Sequence, residues 1–181
     1  MKKLVIFTLL LKISSFAQAY EFEATCSINT KTEGLSFFEN SVKLAASRAI
    51  KVNPKIRKKM AFNNQRLSAL FSNGDCYWVT SGGKIMRTYC FDNGSDYFVD
   101  GLARYISPKG KFGFMDEKLR IVIPAQFDFV FPFENGKAQY CNGCKSVQAG
   151  EHSSMTGVDW RYIDKSGHPI ESKTASPSLK Q

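Results

Sequence analysis

The side chains best suited to chemistry in this chain of 181 residues are its five cysteines: Cys26, Cys76, Cys90, Cys141 and Cys144. A cysteine can form a disulfide, bind a metal ion as a thiolate, or act as a redox nucleophile when its pKa is lowered. The choice depends on compartment, because structural disulfides persist in oxidising surroundings and are rare in the cytosol.

The start of the chain predicts the compartment. Residues 1–19 contain a basic segment with Lys2 and Lys3, an apolar core, and the small-x-small sequence Ala17-Gln18-Ala19. This order is typical of an export signal, and the apolar core is too short to span a bilayer. We therefore expect cleavage before Tyr20 and a periplasmic protein, with secretion as the alternative. A second long apolar stretch is absent from the sequence, so we do not expect an integral membrane protein.

Cys76 and Cys90 flank a glycine-containing turn at residues 82–84. A three-residue loop that sets Ser81 opposite Ile85 would also set Cys76 opposite Cys90. Cross-strand neighbours have Cβ atoms close enough for a disulfide, although a two-residue turn would shift the register and break this pairing. We take these two cysteines as a candidate disulfide.

Cys141 and Cys144 form a Cys-x-x-Cys motif that allows three interpretations. The first is a disulfide that staples a loop, and the second is a redox-active pair with Lys145 as the adjacent cation. The third is a metal site formed by Cys141, Cys144 and His152, with His168 as a further candidate ligand, since such spacing occurs at zinc sites. The oxidising compartment favours the disulfide. Cys26 is then either free and buried or bonded elsewhere.

The elements that must hold these cysteines have the pattern of β-hairpins. From Leu119 to Phe133 every odd position is apolar, which is the period of a strand with one buried face. Pro124 and Pro132 cannot donate to a strand ladder, so they divide the run into short pieces. Asn135-Gly136 then favours a tight turn with positive φ.

The hairpin pattern recurs along the chain. A shift of 36 residues sets Trp78 on Phe114, and a shift of 35 sets Phe98 on Phe133. A third, partial copy follows a shift of 48, which sets Tyr162 on Phe114. A period in this range indicates a repeat array whose units bury their apolar faces against each other.

The segment GKFGFMDEKLRIVIPAQFDFVFPFENGKA resembles the bacterial WG-repeat family. Phe112-Gly113 stands in place of the Trp-Gly pair, with Cys76-Tyr77 and Trp160-Arg161 at that position in the other two copies. The resemblance covers residues 66–170, with a loop insertion at 141–157. It implies tandem β-hairpins that act as an interaction scaffold, and it brings no catalytic residue.

The N-terminal part differs in character. Residues 20–65 are predicted to form a short strand at 21–28 and a helical cap of one or two helices between Leu35 and Asn64, with a break at Pro54. The fold class is therefore mainly β (α+β), with a small helical segment. Residues 171–181 are small and polar, and we expect disorder there.

Composition and motifs predict a binding protein rather than an enzyme. The two histidines offer no triad, and Asp116, Asp128 and Asp164 recur at positions that suit turns. Removal of the three lysines of the signal lowers the net charge from +9 to +6, so a protein or an anionic component of the cell envelope is the expected partner. Export argues against nucleic acid as a partner, and we expect no cofactor.

The alternative is a thiol-redox or metal-binding envelope protein centred on the Cys-x-x-Cys loop. The candidate binding residues are Tyr97, Phe98, Phe129, Phe131, Arg57, Lys58 and Lys59.

Overall fold

The computed structural model describes residues 22–45, 48–92, 94–149, 152–157 and 159–170, so the predicted signal at 1–19 and the predicted tail at 171–181 lie outside the described residues. Strands dominate the described part. They are β1 (Ala24–Thr30), β2 (Gly34–Leu44), β3 (Ile50–Val52), β4 (Leu67–Ser72), β5 (Asp75–Thr80), β6 (Ile85–Thr88), β7 (Cys90–Phe91), β8 (Gly94–Ser95), β9 (Leu102–Ile106), β10 (Phe112–Asp116), β11 (Ile121–Phe127), β12 (Phe129–Val130), β13 (Lys137–Cys141), β14 (Lys145–Ala149), β15 (His152–Thr156), β16 (Trp160–Asp164) and β17 (Pro169–Ile170), with one helix, α1 (Pro54–Lys59).

The strands form antiparallel sheets, which confirms the predicted fold class. The largest sheet has nine strands in the order β11-β10-β9-β6-β5-β4-β1-β2-β3. A second sheet has the order β12-β13-β16-β17, and β7-β8 and β14-β15 are separate two-stranded sheets. The chain passes from the first sheet to the second at Asp128, between β11 and β12. Hairpins between sequential neighbours therefore account for most of the pairing.

The strands follow the repeat shifts found in the sequence. The shift of 36 carries β6 onto the start of β11, and it carries all but the first residue of β5 onto β10. The shift of 35 carries β9 onto β13, and the shift of 48 carries β10 onto β16. The self-similarity therefore reflects a repeated strand unit.

The turns between equivalent strands share one hydrogen-bonding arrangement. The backbone N–H of Asp116 donates to the carbonyl of Arg120 at 3.0 Å, and that of Asp164 donates to the carbonyl of His168 at 2.9 Å. In both turns the Asp Oδ1 also accepts two backbone N–H groups. Thr80 is the third equivalent residue, and its N–H donates to the Lys84 carbonyl at 2.8 Å. Asp116 and Asp164 thus have the turn role that the sequence predicts.

The first two units each contain an aromatic pair at equivalent positions. The Trp78 and Phe98 ring centroids lie 5.8 Å apart, and those of Phe114 and Phe133 lie 4.6 Å apart. These are equivalent pairs, because the shifts of 36 and 35 relate their members. Tyr162 occupies the same position in the third unit, but it is 38% exposed and the Lys137 ammonium lies 5.1 Å from its ring centre.

The N-terminal part extends the large sheet. The helix predicted between Leu35 and Pro54 is wrong, because β2 occupies most of that segment and pairs with β1 and β3. The second predicted helix is present as α1, with Pro54 at its first position and Asn53 capping the Lys55 N–H at 2.9 Å. Buried apolar residues around Cys26 form the core between this part of the sheet and α1. In the described ranges, no helix is long and apolar enough to cross a membrane.

Candidate binding cleft

Both predicted cysteine pairs lie at disulfide distance. The Cα atoms of Cys76 and Cys90 are 5.2 Å apart, and those of Cys141 and Cys144 are 5.9 Å apart. The predicted strand register is wrong, however, since Cys76 pairs with Thr88. The reason is the turn, which closes with Thr80 opposite Lys84 instead of Ser81 opposite Ile85. The closing pair is thus one residue earlier on each strand, and the partner of Cys76 is two residues before Cys90. Cys90 follows the end of β6, where the chain bends into β7 and brings the sulfur back to Cys76.

The Cys141–Cys144 turn is held by Asp128. The Gly143 N–H donates to Asp128 Oδ2, and the Lys111 ammonium contacts Oδ1 of the same carboxylate. The hydrogen bond from Lys111 and that from Gly143 hold the pKa of Asp128 below its usual value. Cys141 ends β13 rather than preceding a helix, so it lacks the helix N-terminus that depresses the pKa of redox cysteines.

The metal interpretation requires a group of ligands that lie close together, and the described part of the chain contains none. There, no group of three or more His, Cys, Asp or Glu side chains could hold a metal ion. His152 begins β15 and is paired with Ala149 of β14. His168 closes the turn at Asp164, with its backbone N–H bound to the Asp164 carboxylate.

The insertion at 141–157 contains a β-hairpin, β14–β15, that borders an aromatic cleft. The cleft has a volume of about 670 Å³. It is lined by Tyr89, Phe91, Arg104, Phe112, Phe129, Phe131 and Pro132 from the repeat units, and by Ser146, Ser154 and Met155 from the hairpin. The repeat units therefore supply the aromatic wall, whereas the hairpin supplies hydroxyls and a flexible thioether side chain.

The aromatic wall is continuous. The ring centroids of Phe112 lie 5.9 Å from Tyr89 and 5.3 Å from Phe129, and Phe129 lies 5.2 Å from Phe131. Phe131 continues to Trp160 at 5.5 Å. Most of these rings meet edge to face or tilted, which is the favoured geometry for aromatic pairs. The inner members are buried and Phe131 is 42% exposed, so the wall runs from the core to the surface.

One buried ion pair supports the cleft from below. Arg104 is 2% exposed, and its guanidinium donates to Asp96 at 2.9 Å from Nε and at 2.5 Å from Nη2. Its Nη1 donates to the Val130 carbonyl at 3.3 Å. The Cζ atom lies 4.3 Å from the Tyr89 ring centre, a cation–π contact. The pair is neutral as a whole and fixes the orientation of the Tyr89 ring.

The structure brings only some of the predicted binding residues together. Phe129 and Phe131 line the cleft, and Tyr97 lies beside it through an edge-on contact with Phe91 at 5.8 Å. Phe98 instead packs on Trp78 in another core cluster.

The basic candidates form a separate surface on α1. Lys58 and Lys59 are exposed, with the Lys59 ammonium 5.1 Å from the Phe38 ring centre. Arg57 donates to the Ser81 carbonyl at 3.4 Å. None of the three lines the aromatic cleft.

Sequence reasoning missed Tyr89, Arg104, Phe112 and Met155 as cleft residues. Phe112 was assigned to the repeat only as the counterpart of a tryptophan, which gave no sign of a cleft. Residues 145–149 (KSVQA) and 152–156 (HSSMT) contain few apolar residues, so alternation does not indicate the hairpin there. The turn at Cys141–Cys144, which Asp128 holds, directly precedes the hairpin.

Comparison with known proteins relates the second unit to a described family. Residues 112–143, which span β10 to β13, match the family described as "WG containing repeat". The chain matched no curated protein. It also matched no solved structure. The match covers the strands of the second unit and ends one residue before Cys144, and it supports the resemblance of this repeat to the WG-repeat family.

Proposed function

We propose that this protein is a non-catalytic binding module whose aromatic cleft takes an extended, apolar segment of a partner protein. The observation that carries this proposal is the continuous aromatic wall facing the β14–β15 hairpin. Binding sites for peptides and small molecules are typically concave and lined by apolar and aromatic side chains, with a few polar groups. Ser146 and Ser154 are such polar groups here.

Charge favours an apolar protein segment over an anionic polymer in this cleft. Arg104 is the charged residue of the lining, and Asp96 neutralises it. An anionic glycan or lipid headgroup would therefore gain little from the cleft itself. Aromatic rings such as Phe91 and Phe131 give large contact areas at low cost in side-chain entropy, which suits the binding of protein segments.

The predicted export signal sets the proposed location. If residues 1–19 are removed during export, the module works in the periplasm, where the cysteine pairs would be oxidised. In this proposal the Cys141–Cys144 disulfide is structural, and it holds the hairpin against the repeat units rather than exchanging electrons.

The proposal is tested by selecting ligands from a displayed library of random linear peptides and measuring their affinity for the purified protein. Phe131→Ser removes an exposed ring of the cleft. Phe37→Ser is the matched control, because Phe37 is 73% exposed on β2 and does not line the cleft. We expect Phe131→Ser to weaken binding about tenfold, the loss typical of an aromatic anchor, and Phe37→Ser to leave it unchanged. Equal loss in both variants, or a library that yields no binder, would contradict the proposal.

A further inference from the structure

A second cavity lies away from the aromatic cleft, between the N-terminal part of the sheet and the second repeat unit. It has a volume of about 340 Å³, which is within the range of small-molecule sites. Its walls are apolar and come from three regions: Ile50 of β3, Ile85 and Met86 of β6, and Ile106 and Ile121 of β9 and β11. The cavity shares no lining residue with the aromatic cleft.

Arg48 and Arg87 line this cavity, and both form ion pairs with the Asp75 carboxylate. Nε and Nη2 of Arg87 each lie 2.8 Å from Asp75 Oδ1, so this guanidinium is firmly paired. Arg48 also lines the cavity, but its Nη1 lies 3.6 Å from the same oxygen, and its side chain is 63% exposed. Two positive charges against one negative charge leave an excess of one positive charge beside an apolar space.

The position of Arg48 is fixed by its backbone. The Tyr77 hydroxyl donates to the Arg48 carbonyl at 3.0 Å. Burial, followed by the charge of Asp75, raises the pKa of Tyr77 to about 12, so the hydroxyl keeps its proton at neutral pH and the hydrogen bond persists. Arg48 is thereby held at the cavity while its guanidinium keeps N–H groups directed to solvent-accessible space.

We propose that this cavity binds a small amphipathic carboxylate, with an apolar tail among the isoleucines and the carboxylate on Arg48. An apolar wall alone would accept any hydrophobic molecule. The unbalanced guanidinium selects an anion, because a charge-assisted hydrogen bond to a carboxylate is stronger than one to a neutral group. This inference does not depend on the proposed function of the aromatic cleft.

The test compares octanoate with 1-octanol, which have the same chain length but differ in charge. Binding is followed by the methyl NMR signals of Met86, Ile106 and Ile121 in the protein that begins at Tyr20, after the predicted signal. We expect octanoate to shift these methyl signals and to bind about tenfold more tightly than octanol, as one charge-assisted hydrogen bond implies. Arg48→Gln should abolish the difference. Arg161→Gln is the matched control, because Arg161 is also exposed and paired with an aspartate.

A second pair of variants guards against misfolding of Arg48→Gln. Ile121 is an exposed lining residue, so Ile121→Glu introduces a carboxylate with little risk to the fold. We expect Ile121→Glu to weaken octanoate binding more than octanol binding, and Ile121→Ser to weaken both equally. Equal affinity for octanoate and octanol, or shifts confined to the Met155 methyl of the other cleft, would overturn the proposal.

Discussion

The second and third repeat units have the same strands and turns but differ in how they bury their central aromatic residue. Phe114 is fully buried against Phe133, whereas Tyr162 at the equivalent position is partly exposed. The turns at Asp116 and Asp164 nevertheless have the same backbone hydrogen bonds. Each unit therefore forms its hydrogen-bonded frame locally, while burial of its aromatic residue requires a ring from a later part of the chain.

The difference extends to the neighbouring residue. Gly113 lies where a Cβ would come within 2.5 Å of the Ile123 carbonyl oxygen and 2.6 Å of the Tyr105 ring. The third unit has Arg161 at this position, and the side chain points to solvent. Glycine is thus required only where β11 approaches β10 closely and the register of the two strands shifts. The second unit is the tightly packed member of the array.

The largest effect that tests this comparison should come from the two aromatic positions. Phe114→Ala should lower the free energy of unfolding by about 3–5 kcal/mol, because it leaves a cavity in the core. Tyr162→Ala should cost less than about 1 kcal/mol, since its ring is partly solvated. Urea unfolding of both variants measures the difference. Equal costs would show that the third unit is as tightly packed as the second.

The disulfides extend the comparison to the first unit. Replacement of Cys76 and Cys90 by serine should cost about 3 kcal/mol on the chain-entropy estimate for a loop of this size, because their separation is 14 residues. The equivalent change at Cys141 and Cys144 should cost less, since these are separated by only 3 residues.

Before the urea measurements, thiol titration of the unfolded wild type should detect one thiol without reductant and five with it. Any other count would contradict the pairing.

A smaller effect is expected at Gly113. Gly113→Ala should cost about 1–3 kcal/mol, the usual penalty for overpacking, because backbone atoms of β11 must move. Gly82→Ala is the control, since the nearest atom to its added Cβ is Thr80 Oγ1 at 3.8 Å. Thermal or urea unfolding should separate the two variants clearly. A Gly113→Ala protein as stable as Gly82→Ala would show that the close approach is not a real constraint.

The smallest effect concerns the shared turns. Burial disfavours the charged form of Asp116, but hydrogen bonds from Arg120 and Lys118 outweigh it and lower its pKa. The backbone N–H of His168 is the main cause of the lowered pKa of Asp164. Since both folded-state pKa values are depressed, this stabilisation is present above the unfolded value of about 4 and is lost as the pH falls through the folded-state pKa.

Asp116→Asn and Asp164→Asn test this pH dependence. Each should lower the melting temperature slightly at pH 7, and the difference from wild type should shrink in acid below the folded-state pKa. Glu134→Gln is the control, because Glu134 is an exposed carboxylate outside these two turns. A difference that stays constant down to low pH would mean that charge has no part in the turn.

The repeat was predictable because its signal is local. Alternating apolar residues and turn residues such as Asn135-Gly136 act within a few positions, so the shifts of 36, 35 and 48 located strands correctly. The aspartate turns were predictable for the same reason. Asp128 differs, since it binds Lys111 and Gly143, which are distant in sequence.

The errors arose where tertiary contacts decide the structure. Apolar spacing between Leu35 and Asn64 suits either a helix or a strand, and pairing of β2 with β1 selects the strand over the first part of that segment. The register at Cys76 depended on which residues close a glycine-rich turn, and alternation alone does not fix this. The cleft was not predictable, because the hairpin that borders it is positioned by contacts between separate units.

The buried thiol of Cys26 can report the opening of the N-terminal part of the sheet. Burial raises its pKa, and although the Ser41 hydroxyl bond at 3.1 Å works in the other direction, burial is the larger influence. The reactive thiolate is therefore scarce while the core of the N-terminal sheet is intact. Alkylation of the oxidised protein should proceed only through molecules in which this core has opened. The alkylation rate would therefore measure how often the N-terminal part of the sheet opens, without any added label.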